Sequence, residues 1–291
     1  LINYMPELPE VEVVKRSLEN RIPNYTIQKV TIKTPKLRYR LKKKEFKKLI
    51  GKKILSIQRR SKYLIFNFRD NCMIVHLGMT GKFFIENTRS NKFKTSFYYN
   101  IKKDDIKHDR VIFYLNNKTK LIYNDVRKFG FLKIFDISKK DYITHLSNLG
   151  PEPLSKKFKF SYFKFYISNK TKNVKNLLMD QRFVAGLGNI YVNEVLFLAK
   201  INPYKKSLNL SNFEIHKLIK NIKLVLHKAI IKGGSSIKNF KSVDGEKGAF
   251  QQKFKVYSQE GKNCPASSCK DVIRRSIISN RSTFYCKTCQ K

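Results

Sequence analysis

Four cysteines near the end of the chain stand in a pattern suited to a metal: Cys264-x4-Cys269-x16-Cys286-x2-Cys289. Two close pairs separated by a loop are how a short segment supplies four thiolates to a tetrahedral Zn²⁺. Such a site has no open position, so one structural ion is expected. A tail with so little core would draw its folding energy from that metal. Free or disulfide-paired thiols are the alternative. The clustering, with Cys72 alone elsewhere, favours a metal site in a reducing compartment over a disulfide framework. The same segment carries Lys270, Arg274, Arg275, Arg281, Lys287 and Lys291, which suits contact with a polyanion.

A second kind of chemistry is available at Met5-Pro6-Glu7-Leu8-Pro9-Glu10. Methionine is readily removed before a small residue such as proline, and removal would leave a secondary amine at the chain end. An α-amino group titrates at about 7.7–8.0, so part of it is unprotonated at neutral pH. That amine can attack a sugar C1′ and form an iminium, with Glu7 beside it to move protons. Leu1 to Tyr4 precede Met5; the expectation is that the native chain starts at Met5 and is trimmed to Pro6. Taken alone, the segment reads first as a proline that starts a helix, followed by acids suited to its positive end.

The third candidate is a helix–turn–helix over 174–199 with the turn Val184-Ala-Gly-Leu-Gly-Asn189. Gly186 and Gly188 can take positive φ. Asn189 is expected to cap the second helix, whose N-terminus would suit a phosphate. Taken alone, these residues read first as an ordinary helical hairpin.

These segments need scaffolds. Residues 9–20 read as a helix, with Pro9 in its first turn and Lys15 and Arg16 further along. From 27 to 136 the pattern changes to short β-type runs: Ile54–Arg59, Tyr63–Phe68, Met73–Leu77, Val111–Leu115, Leu121–Tyr123 and Phe131–Phe135. Turn residues separate them, which suggests a β-sandwich. Leu149-Gly-Pro-Glu-Pro-Leu154 is a plausible boundary. Helical pieces follow at Val174–Asp180, Asn189–Ala199 and Asn212–Lys232, and Gly233-Gly-Ser-Ser236 opens a flexible segment.

The formal net charge is +41, from 62 basic and 21 acidic residues. Abundant Lys, Asn, Ile, Phe and Tyr point to AT-rich coding, which accounts for part of it. The remainder still favours a nucleic acid or an anionic surface as partner. No apolar run approaches the ~20 residues of a membrane span, and the first residues lack the layout of a signal peptide.

Five segments together resemble one family. They are Pro6-Glu-Leu-Pro-Glu-Val-Glu, His76-Leu-Gly-Met-Thr-Gly81, Asp125-Val-Arg-Lys-Phe-Gly130, Gly186-Leu-Gly-Asn-Ile-Tyr191 and Arg281-Ser-Thr-Phe-Tyr-Cys-Lys-Thr-Cys-Gln290. In this order, from Met5 to the end, they are similar to the formamidopyrimidine-DNA glycosylases. The resemblance implies an α+β multidomain chain. It would comprise an N-terminal β-sandwich with a flanking helix (5–136), a helix–two-turns–helix domain (150–235), and a lesion-recognition loop with a four-cysteine zinc finger (236–291). DNA would lie in the cleft between lobes.

Carried over by position, Pro6 becomes the nucleophile and Glu7 the acid. Lys62 becomes a phosphate contact that assists β-elimination, and Arg281 a phosphate contact tied to δ-elimination. Met79, Arg127 and Phe129 would fill the hole left by an everted base; outside this context Met79 and Phe129 read as core. His108, Lys175 and Asn189 match DNA-backbone contacts, with Lys170 a further candidate. The first cysteine knuckle holds four residues where many relatives have two, and the longer knuckle still reaches tetrahedral geometry.

The implied activity is excision of 8-oxoguanine and formamidopyrimidines from duplex DNA, followed by strand cutting at the abasic site. A monomer in the bacterial cytoplasm, at the nucleoid, is expected, with an organellar location left open. The alternatives are an endonuclease VIII-like enzyme preferring oxidised pyrimidines and a non-catalytic zinc-finger DNA-binding protein. Leu8, where the endonuclease VIII branch has glycine, and the long 233–250 segment argue for the purine branch.

Overall fold

The computed structural model describes residues 5–87, 90–94, 103–139, 146–233 and 254–291. They gather into two compact units, one running to Ser147 and also including Gly233, the other spanning Asn148–Lys232 and the cysteine-bearing tail.

The first unit opens with α1 (Leu8–Glu19). Glu7 is its N-cap and donates its own N–H to Glu10 Oε2 at 2.9 Å, closing a capping box, with Pro9 in the first turn. Val11, Val14 and Leu18 recur at helical spacing and are fully buried. Strand β1 (Ile27–Ile32) and the short helix α2 (Lys43–Lys47) follow, then β2 (Ser56–Arg60), β3 (Tyr63–Asn67), β4 (Asn71–His76), β5 (Gly81–Asn87) and β6 (Ser90–Lys94). A 3-10 turn (Lys103–His108) leads into β7 (Asp109–Leu115), β8 (Thr119–Asp125) and β9 (Phe131–Asp136).

Two sheets result, β1-β7-β8-β5-β6 and β2-β3-β4-β9, with all neighbours antiparallel. Their inner faces interdigitate: Phe66 of β3 lies 5.6 Å from Phe83 of β5 between ring centroids. Helix α1 packs on β2 and β3, and its Val11, Val14 and Leu18 join the same core as the residues between the sheets. The expected sandwich is therefore present. Each strand expected in the sequence appears within two residues at either end. The sequence pattern does not predict β1, β5 or β6; β5 starts on Gly81, a residue that interrupts strand patterns.

The second unit holds α3 (Phe160–Ile167), α4 (Val174–Met179), α5 (Asn189–Ala199) and α6 (Asn212–Ile231), then the hairpin β10 (Arg274–Ile278) and β11 (Arg281–Tyr285). Helix α5 is its axis: every residue from Ile190 to Phe197 is buried, against α4, α6 and β11. Ser211 caps α6 in a capping box with Glu214. The hairpin turns on Ser279 and Asn280, both at positive φ (47° and 59°), which matches strand twist in a two-residue loop. The sequence pattern does not predict α3. Of the expected loop at 233–250, only Gly233 lies among the described residues. No described helix is long and apolar enough to cross a membrane.

Candidate functional site

In the first unit, Pro6 is buried and stands directly before the N-cap of α1. Glu7 is 3% exposed and Glu10 2%, so the helix start is lined by shielded carboxyl groups. Lys62 occupies the second position of the two-residue turn between β2 and β3, and Ser61 before it has φ +56°. A chain of charges ties this turn to α1. Arg59 Nε donates to Glu12 Oε2 at 2.7 Å, and Arg59 Nη1 donates to the Ser61 carbonyl at 2.9 Å. Burial alone would raise the Glu12 carboxyl. The guanidiniums of Arg59 and Arg16 outweigh it and hold Glu12 below its ordinary value. The nucleophile candidate and Lys62 thus sit on elements linked through one charged contact.

Met79 lies in the turn between β4 and β5, half-buried, while Arg127 and Phe129 lie exposed in the turn between β8 and β9. The Arg127 guanidinium stands 4.6 Å from the Phe129 ring centroid, a cation–π contact. The two turns touch through their backbones. A Cβ on Gly78 would come within 2.5 Å of the Phe129 carbonyl carbon and the Gly130 nitrogen. His108 ends the 3-10 turn, with its Nδ1 3.0 Å from Arg110 Nη2.

In the second unit a single patch gathers Lys175, Asn189 and β11. Lys175 is 1% exposed; its ammonium donates to the Ser282 carbonyl (3.1 Å) and to Thr283 Oγ1 (2.6 Å). Burial first, and the Arg281 cation second, push it down to about 8. Asn189 Nδ2 donates to the same Ser282 carbonyl at 2.9 Å. Beside them an open pocket of about 360 Å³ is lined by Lys172, Lys175, Asn176, Ser279 and Arg281 among others. Three cations and the Asn176 amide outnumber its one carboxylate, Asp180, which pairs with Lys172 at 3.1 Å; the balance suits an anion of phosphate size. Lys170 is not among the pocket's residues; its ammonium lies 5.6 Å from the Tyr166 ring centroid.

Two details of the turn differ from expectation. The N-cap of α5 is Gly188, not Asn189, whose amide is engaged by β11 instead. Gly186 takes φ +91°, but Gly188 is extended at −139°. The side chain of Gln181 holds the turn, accepting from Gly186 N (2.8 Å) and donating to the Leu187 carbonyl (2.7 Å).

The four cysteines converge, with all Sγ atoms within 4.8 Å of one another. Cys264 and Cys289 are 3.7 Å apart at sulfur, and Cys269 and Cys286 are 3.6 Å apart. Sulfurs at about 2.3 Å from a tetrahedral Zn²⁺ lie about 3.8 Å from one another, so this donor set fits the ion. Asp271 braces the knuckle, accepting from Thr288 Oγ1 at 2.9 Å.

Two residues of α5 carry weight that spacing alone did not reveal. Asn193 Oδ1 accepts the Phe284 N–H at 2.7 Å, which fixes β11 from within the helix. Glu194, 6% exposed, accepts three successive N–H groups from Lys255, Val256 and Tyr257, each at 2.9 Å. Burial raises its carboxyl, and the three donors pull the other way. Two polar residues inside an otherwise buried helix, Asn193-Glu194, were the available signal.

A β-sandwich that opens on a proline and buried acids, joined in one chain to a helix–turn–helix gripping a four-cysteine hairpin, defines a two-unit DNA glycosylase. The chain belongs to the formamidopyrimidine-DNA glycosylase family. That family's N-terminal domain matches residues 5–132 and its H2TH domain residues 149–241. The formamidopyrimidine-DNA glycosylase of Rickettsia bellii (strain OSU 85-389) is 44% identical over 290 residues, covering 99% of this chain and 100% of that protein. The one from Rickettsia conorii is 43% identical over 289 residues, covering 98% and 99%. The Lactococcus lactis enzyme solved with abasic-site DNA superposes with TM-score 0.83 at 36% identity, over 98% of this chain and 99% of that one. A variant of that enzyme with Fapy-dG DNA gives 0.83 at 36%, over 98% and 100%.

Proposed function

We propose that the protein is a base-excision DNA glycosylase and AP lyase that removes 8-oxoguanine and formamidopyrimidines from duplex DNA. The observation that carries the chemistry is Pro6 directly before the α1 N-cap, with buried Glu7 beside it, in a chain that is a family member over nearly its full length. The damaged base must leave the stack. Pro6, as a free amine, attacks C1′ and the C1′–N bond to the base breaks, the proton released by the Pro6 nitrogen going to the departing base; the C1′–O4′ bond then opens to give the iminium, with Glu7 protonating O4′. The resulting iminium acidifies the adjacent sugar hydrogen. β-Elimination and then δ-elimination follow, leaving phosphates at both ends of a one-nucleoside gap. An interior Pro6 nitrogen is a tertiary amide with no available lone pair, so the reaction requires removal of everything before it.

Lys62 and Arg281 serve as phosphate contacts that assist elimination. Lys175, Asn189 and His108 hold the DNA backbone, and Lys170 adds charge nearby. Met79, Arg127 and Phe129 occupy the space the base vacates, replacing its stacking and reading the partner base left unpaired. Cys264, Cys269, Cys286 and Cys289 would hold one Zn²⁺, which closes the finger and takes no chemical step. The segments 5–136, 150–235 and 236–291 act as catalytic, DNA-binding and recognition parts of a monomer working in the bacterial cytoplasm.

Borohydride trapping on duplex containing 8-oxoguanine opposite cytosine tests the reading. The expected result is a covalent adduct that maps to Pro6 as residue one, absent with undamaged duplex. No adduct, or an adduct on Lys62, would overturn the proline mechanism.

A further inference from the structure

The turns bearing Met79 and Arg127 belong to different hairpins, yet one buried carboxylate joins them. Asp125, at the end of β8, is 0% exposed. Its Oδ1 accepts the Thr80 hydroxyl, and its Oδ2 accepts the Gly130 N–H at 2.9 Å and the Tyr123 hydroxyl at 3.4 Å. Thr80 Oγ1 in turn accepts the Arg127 N–H at 2.9 Å. The relay therefore runs from the residue after Met79, through Asp125, to both flanks of the Arg127–Phe129 turn. Glycines complete the junction. Gly78 has φ +62° and no room for a Cβ against Phe129, and a Cβ on Gly130 would fall 1.8 Å from the Tyr123 hydroxyl.

The apolar core packs between the sheets and is tied to this junction through the Tyr123 hydroxyl. Fixing two exposed turns relative to each other requires the relay. A backbone N–H held at Arg127 sets where that side chain leaves the surface, and the same hydroxyl holds the Met79 turn through Thr80. We propose that Asp125, acting through Thr80, is a positioning residue that locks the Met79 and Arg127–Phe129 turns into one rigid reading head. Discrimination among bases opposite the lesion would then depend on the relay. This rests on the role proposed above for Met79, Arg127 and Phe129.

The test uses full-length protein carrying Thr80→Val, which keeps the shape and removes the hydroxyl, with Thr80→Ser as the conservative partner. Excision of 8-oxoguanine opposite cytosine and opposite adenine is compared with cutting at a preformed abasic site. Thr80→Val should shrink the cytosine-to-adenine ratio on the order of tenfold, since a misplacement of an ångström is costly to oriented contacts. Abasic-site cutting should stay near wild type, and Thr80→Ser should restore the ratio. Arg127→Ala separates the two ideas. If Arg127→Ala collapses the ratio and Thr80→Val does not, the relay is refuted while the role of Arg127 stands. If Arg127→Ala leaves the ratio intact, the role of Arg127 fails and the inference falls with it. Equal losses by Thr80→Val on all substrates would reduce the relay to a structural contact and overturn it.

Discussion

The two units hold their candidate residues by opposite means. In the sandwich, the turns carrying Lys62, Met79, Arg127 and Phe129 spring from strands of two packed sheets. Half-buried Glu12 then ties the Lys62 turn to α1, and buried Asp125 ties the Met79 turn to the Arg127–Phe129 turn. In the second unit, Arg281 stands on a two-stranded hairpin that buries few apolar side chains, Ile278 and Phe284 among them. An isolated hairpin is marginal in water. Four cysteines at one end and the side chains of Lys175, Asn189 and Asn193 along its strand supply what a core does not. Polar ties in the sandwich therefore refine a fold that exists without them, whereas ties in the tail help create it. Changes in the first should alter selectivity, and changes in the second should detach a module.

The largest break should come at the cysteines. Cys269→Ser removes one of four thiolates, and structural zinc is worth roughly 10–16 kcal/mol to small modules. Incision of damaged duplex should vanish and bound zinc should be lost, while the sandwich keeps its own unfolding transition. Stoichiometric zinc measured in the active variant would contradict this.

Glu194→Gln comes next. The amide keeps one acceptor and turns an NH₂ toward N–H groups of residues 255–257. Unsatisfied buried donors cost about 1–3 kcal/mol each. Hydrogen exchange at 255–257 should accelerate and the second unit should melt earlier, with exchange in β3 and β4 unchanged. Protection at 255–257 equal to wild type would show that the carboxylate does not anchor this segment.

Lys175 sharpens the comparison through pH. With its folded value near 8, the ammonium is charged below that pH and neutral above it. Affinity for undamaged duplex should fall as pH rises through about 8. Lys175→Ala should also flatten the slope of log affinity against log salt by about 0.9. Stability should move the other way. Between about 8 and the ordinary lysine value of 10.5 the unfolded chain holds the proton and the folded chain does not, so this group adds stability as pH rises. Titrations of binding and of unfolding, each against Lys175→Arg, check both signs.

The smallest effect belongs to Cys72. It is 1% exposed in β4, and burial pushes its thiol up to about 11. It should resist alkylation in the folded protein, and Cys72→Ala should cost about 1 kcal/mol in the sandwich alone. Rapid labelling of Cys72 under native conditions would show that this part of the sheet opens.

Local pattern made much of this molecule legible in its amino acids. Period-2 and near-continuous apolar runs marked β2, β3, β4, β7, β8 and β9, because a strand buried against another sheet must be apolar on at least one face. Helical spacing marked α4, α5 and α6, and Pro9 with its neighbouring acids marked the start of α1, where a first-turn proline and negative charge suit the unpaired N–H groups. Cysteine spacing marked the four-cysteine cluster of the tail, because two close pairs separated by a loop can bring four thiolates together. The residues that position the candidate site were hidden for a different reason. Thr80, Asp125 and Gly130 meet only once β4, β5, β8 and β9 have paired, and nothing in their spacing distinguishes Asp125 from a surface acid. Asn189 looked like a helix cap; folding gave its amide a stronger claim from the Ser282 carbonyl, 93 residues away, and left the cap to Gly188. A hydrogen bond between distant residues has no period and no local propensity, so only the tertiary structure decided which polar side chains would be buried and what each would hold.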